Sequence, residues 1–144
     1  MAAIILEIAD EVVSILNGAS LSQSFTAVRR YQPRFTLEEL ETLRVSVVPK
    51  SIAETLFARK VSGKEIAIDI GVQKKTEGAD SEYDDLMLLT EEISDLFIRT
   101  RLSTPESVAW KQTANDPIYS VDDLNEQQVF LSVVTITFTR TKVI

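Results

Sequence analysis

The chain has 144 residues, 44% of them hydrophobic and 26% charged, which at about 150 residues per domain fits one globular domain. It contains no cysteine and no histidine. This excludes disulfides, thiol catalysis, Cys-ligated metals and Ser–His or Cys–His catalysis within one chain. With 15 bases against 22 acids the net charge is −7, which argues against the basic footprint of a duplex-DNA binder.

The opening residues carry no basic segment, and Glu7 and Asp10 interrupt their apolar run, so they do not read as a signal peptide. No window approaches the 18 or so apolar residues of a spanning helix, and the expected location is the cytosol or a cytosolic assembly. Ala3 to Asn17 predicts a helix: Ile5, Ile8, Val12, Ile15 and Leu16 recur at helical spacing, and Gly18 suits a left-handed cap. Ser24 to Gln32 predicts a strand ended by Pro33. Thr36-Leu-Glu-Glu39 fits a capping box and a short helical turn. Leu43 to Val48 predicts a strand stopped by Pro49. Ser51 to Lys60 fits a capped helix or a strand. Its passage through a Val61–Lys64 turn into a strong strand favours the strand.

Glu65 to Gln73 is the cleanest strand, with Ile66, Ile68, Ile70 and Val72 on one face. After a polar connection, Asp80 or Ser81 caps a helix running to about Arg101. Tyr83, Leu86, Leu89, Ile93, Leu96 and Phe97 form its stripe, with acids at its start and Arg99 and Arg101 at its end. Ser107 to Gln112 predicts a strand, and Thr113 to Gln128 a polar loop. Val129 to Thr139 is the closing strand, apolar on both faces. Such a strand is covered on both sides or meets another subunit. The order predicts a single α+β domain at 1–144: a mainly antiparallel sheet with two helices packed on one face.

No motif singles out catalytic residues, and no phosphate-binding glycine loop or dinucleotide fingerprint occurs. Asp116, Asp122, Asp123 and Glu126 lack calcium-loop spacing and read as solvated or interface charge. Asp84, Asp85, Glu91 and Glu92 form two carboxylate pairs on a helix, better suited to solubility than to acid–base work. The bases cluster as Arg29, Arg30 and Arg34; Arg59, Lys60 and Lys64; Lys74 and Lys75; Arg140 and Lys142. Pairing with acids of this chain or a neighbouring subunit suits them better than phosphate contact. The second and third clusters fall at opposite ends of the clean strand. Trp110 reads as core, and Tyr119 as a possible partner anchor.

Several segments, in order, resemble one family. They are Val45-Ser-Val-Val-Pro49, Ala58-Arg59, Ile66-Ala-Ile-Asp-Ile-Gly-Val-Gln-Lys-Lys75, Leu86-Met-Leu-Leu-Thr-Glu-Glu-Ile-Ser-Asp-Leu96, Asn115-Asp-Pro-Ile-Tyr-Ser-Val-Asp-Asp-Leu124 and Val129-Phe-Leu-Ser-Val-Val-Thr-Ile-Thr-Phe138. Together they resemble tail-terminator, or tail-completion, proteins from the head-to-tail region of tailed bacteriophages. The resemblance implies an α+β virion protein, not an enzyme and without a cofactor. It implies a ring, as a hexamer, that caps the tail tube, ends its polymerisation and meets the head connector. DNA would be passing cargo only, and no membrane is involved. The protein would assemble in the host cytoplasm and reside in the tail or neck of the virion.

Opposite charges could join successive subunits of such a ring. The interface expected on this basis comprises Arg59, Lys60, Lys64, Lys74, Lys75, Asp116, Tyr119, Asp122, Asp123 and Glu126. An acidic lumen would repel the DNA backbone and let it slide. Two other readings predict different observations. Another connector or head-completion protein would share the size, the acidity and the lack of catalytic residues. A small-molecule-binding regulatory domain would instead enclose an apolar pocket.

Overall fold

The computed structural model describes residues 3–102, 105 and 107–143. In chain order the elements are α1 (Ile4–Gly18), β1 (Ala27–Arg29), a 3₁₀ turn (Glu39–Glu41), β2 (Arg44–Ala58), β3 (Val61–Lys75), α2 (Asp80–Leu96), β4 (Arg101–Leu102), β5 (Val108–Asn115), α3 (Val121–Gln127) and β6 (Val129–Val143). The strands form one six-stranded sheet in the order β1-β2-β3-β6-β5-β4. β1 runs parallel to β2, and every other pair is antiparallel. The α+β class stands, with two adjustments: the sheet is mixed, and a third, short helix joins the two expected.

The register explains the core. Ile66, Ile68 and Ile70 lie opposite Phe138, Ile136 and Val134 on one side, while Ile70 and Val72 lie opposite Val47 and Val45 on the other. Cross-strand partners point to the same face of a sheet, so these residues form one apolar surface. Ile8, Val12 and Leu16 of α1 and Leu86, Leu89 and Ile93 of α2 join them in one hydrophobic cluster. Full burial of each such side chain contributes about 1.5–3 kcal/mol. Phe97 meets Phe138 edge to face with ring centres 6.5 Å apart, and Trp110 packs at the margin, its Nε1 donating to Thr113 Oγ1 at 2.8 Å.

Several sequence expectations are corrected. Gly18 falls inside α1 and is not left-handed, since Ala19 ends the helix in an extended conformation. The strand expected over Ser24 to Gln32 shrinks to Ala27–Arg29. Its far edge is closed by a side chain: Asn17 Oδ1 accepts from the Ala27 N–H at 2.7 Å, and Asn17 Nδ2 donates to the Ala27 carbonyl at 3.1 Å. Pro49 does not stop β2. The strand runs on with a bulge between Pro49 and Ser51, because β1 pairs only with Val45–Val47 and leaves Pro49 on a free edge where no N–H is needed. Ser51 to Lys60 is strand to Ala58, followed by a two-residue turn at Arg59-Lys60.

The second helix ends at Leu96, so Arg99 and Arg101 lie beyond its last turn. Ala79, not Asp80 or Ser81, occupies its N-cap and gives no side-chain hydrogen bond. β5 extends to Asn115, and the expected polar loop holds α3, capped by Ser120, whose Oγ accepts from the Asp123 N–H at 3.4 Å. β6 runs past Thr139 to Val143 to match the full length of β3. The capping box at Thr36 forms: the Glu39 N–H donates to Thr36 Oγ1 at 3.2 Å, and the Thr36 N–H donates to Glu39 Oε1 at 3.1 Å. That backbone bond, then the Thr36 hydroxyl, holds the Glu39 carboxyl below the usual carboxylate range.

Candidate functional site

β2 and β3 are both 15 residues long, and the helices cover only part of them. Coverage on the helix side ends near Ile66, which is fully buried, whereas its neighbour Ile52 is 45% exposed. Beyond this point the ladder continues from Ala53–Glu65 to Ala58–Val61 with no helix over it. Residues 51–64 thus form a protruding arm, flanked along the β3 side up to Val61 by the end of β6. Six residues past Ile52 at 3.3 Å each give a reach of about 20 Å. Ile52 and Leu56 share one face of the arm, since their partners Ile66 and Ser62 have the same parity, and Leu56 is 66% exposed.

The arm is basic. Residues 50–64 hold Lys50, Arg59, Lys60 and Lys64 against the single acid Glu54. Among the described residues the ion pairs are Asp10–Arg29, Lys50–Asp69 and Glu65–Lys111, and none of them engages Arg59, Lys60 or Lys64. Arg140, opposite Lys64 on β6, adds to the same end.

The segments that follow β3 and β5 are acidic. No base occurs from residue 76 to 98 or from 112 to 139. α2 alone carries Asp80, Glu82, Asp84, Asp85, Glu91, Glu92 and Asp95. Of these, Glu82 accepts from the Glu77 N–H at 3.1 Å and Glu92 from the Ser22 N–H at 3.2 Å. Asp122 and Asp123 open α3, just before Val129, which pairs with Lys75.

The ten expected interface residues therefore divide into two groups. Arg59, Lys60 and Lys64 meet at the arm. Lys74, Lys75, Asp116, Tyr119, Asp122 and Asp123 lie toward the other end of β3, about 20–45 Å from them by strand register. Glu126 belongs to α3, but its side chain lies outside the described residues. Lys74 and Lys75 are half-buried and line a cleft with Glu41, Glu77 and Glu82, so they serve there as local counter-charge.

An open groove of about 560 Å³ lies beside α2, level with the middle of β3, lined by Asp84, Met87, Leu88, Glu91 and Ser94 of α2 with Asn115 and Ile118. Met87, Leu88 and Ile118 are 37%, 48% and 48% exposed. The Ile118 loop is held to the sheet by its backbone: the Asp116 N–H donates to the Val133 carbonyl at 3.1 Å and the Ser120 N–H to the Leu131 carbonyl at 2.9 Å. Sequence reasoning missed this groove. Its signal was present in α2, where Met87 and Leu88 fall off the Leu86–Leu89–Ile93 stripe onto the polar face.

Among the described residues no cluster of acids is arranged to hold a metal ion, and no helix is long and apolar enough to cross a membrane. No protein-family model matches the chain, and no curated protein aligns with it significantly.

Proposed function

We propose that this chain is a structural virion protein that caps a phage tail tube. In this reading it forms a ring, hexameric as the family resemblance implies, ends tube polymerisation and offers the head connector a surface. The reading rests on the resemblance of the quoted segments, which are spread between residues 45 and 138. The separation of the basic arm from the acidic α2 groove supports it. A protomer with unlike charge on two surfaces favours a head-to-tail interface, and a heterologous interface of suitable rotation closes into a ring. The clefts described above are open to solvent, unlike the enclosed apolar pocket that a metabolite-binding domain needs.

Disrupting the gene in its source genome and imaging particles by negative-stain electron microscopy tests the reading. Overlong tail tubes beside filled heads are expected. Tails of normal length that fail to join heads would instead indicate a connector role. Complete, normal particles would overturn both. Within the ring reading, reversing Asp122 and Asp123 to lysine weakens ring formation or docking on the tube, and unchanged assembly would remove α3 from the interface.

A further inference from the structure

We infer that the arm of one copy seats in the α2 groove of a second copy, and that this contact is the repeating interface of the assembly. The occupant is argued from complementarity in both apolar content and charge. On the arm, Ile52 and Leu56 lie on one face with the cross-strand pair Glu54 and Lys64 between them, and Arg59 and Lys60 form the basic tip. In the groove, Met87, Leu88 and Ile118 make an apolar floor between Asp84 and Glu91.

The arm cannot serve its own groove. Its strands stay hydrogen-bonded from the core to Ala58 and Val61, with bulges at Pro49–Ser51 and Leu56–Ala58, and no residue of 51–64 lines the groove of its own chain. Arm and groove are different surfaces, so each copy uses one of each, and the contact repeats head to tail. The apolar residues supply the burial. The charges fix orientation and penalise arm-to-arm or groove-to-groove pairing, where like charges would meet.

This inference deepens the ring reading, but it needs only self-association, not a tail. The absence of native cysteine makes a clean test available. Leu56→Cys and Met87→Cys are made as separate proteins, checked for folding by circular dichroism, mixed and mildly oxidised. A disulfide-linked heterodimer is expected. A mixture of Leu56→Cys with Val28→Cys, an exposed position on β1 outside the groove, should link far less.

Charge exchange provides the second arm of the test. Arg59→Glu with Lys60→Glu should weaken association roughly tenfold or more by sedimentation velocity. Adding Asp84→Lys and Glu91→Lys in the same chain should restore it. Equal cross-linking at Val28, no cross-link at Met87, or no rescue by the exchanged charges overturns the inference. A ring that forms without the 56–87 cross-link overturns arm docking and leaves the tail reading standing. A specific cross-link in a protein whose gene loss leaves tails normal does the reverse.

Discussion

The two ends of β2 and β3 belong to the same strands and share one hydrogen-bond ladder, yet they differ in what lies above them. From Ile66 to Val72, α1 and α2 cover the ladder, and Ile66, Ile68, Ile70 and Val72 are fully buried. From Ser51 to Lys60 no helix lies over the ladder, and Ile52 and Leu56 stay open. The difference shows that in this sheet the hydrogen-bonded pairing extends further than the hydrophobic core. A ladder can be prolonged by backbone pairing alone once its first half is fixed, and the prolonged part becomes available for another use.

Ways to break the comparison start in the covered half. Ile68→Ala removes a fully buried side chain between two strands and should cost about 2–5 kcal/mol, read as a lowered midpoint in urea with little change in slope. A loss below about 1 kcal/mol would mean that the helices pack more loosely over the sheet than the burial indicates.

At the β1 edge, Asn17→Ala removes two hydrogen bonds to Ala27 and should cost about 1–2 kcal/mol in the same measurement. It should also raise amide exchange at Ala27, whose N–H then loses its partner. This edge is closed by a side chain, whereas the edge of β2 beyond Val47 has no strand partner among the described residues.

In the bare half, Leu56→Asp should change stability by no more than about 0.5 kcal/mol, since the side chain is already largely in water. It should nevertheless weaken self-association. A large loss of stability would show that the arm is packed against its own chain.

The smallest expected effect concerns Glu39. Its carboxyl is held below the usual range, so its contribution is present above the unfolded value and is lost as pH falls through the folded value. Glu39→Gln, which removes the titrating carboxyl, should flatten the pH dependence of stability in that acidic window. An unchanged profile would mean that the cap bonds do not persist in solution.

Much of this was legible along the chain. The alternation of Ile66 to Val72 and the stripe Leu86–Leu89–Ile93 specify their elements because each has one dominant period and one buried face. The same logic failed where no face is buried. Within Ser51 to Lys60 the pattern also fits a capped helix, and only the following turn into β3 favoured the strand that forms to Ala58. α3 was missed although Ser120 and Asp123 have cap spacing, because a seven-residue helix barely completes two turns. The candidate site was half legible. The charge clusters could be found from the sequence, whereas Met87, Leu88 and Ile118 come together only when a loop after β5 is laid beside α2.

The sequence by itself determined the α+β class, the core face of the sheet and the acidic stretches at 76–98 and 112–139, because periodicity and charge are local properties of the chain. Tertiary structure alone decided that Pro49 sits within a strand, that Asn17 closes an edge ten residues away, and that Arg59 and Lys60 stand at the tip of an arm clear of the acidic α2 groove. These depend on register and on which strand lies next to which, and pairing between distant segments leaves little trace in either segment alone.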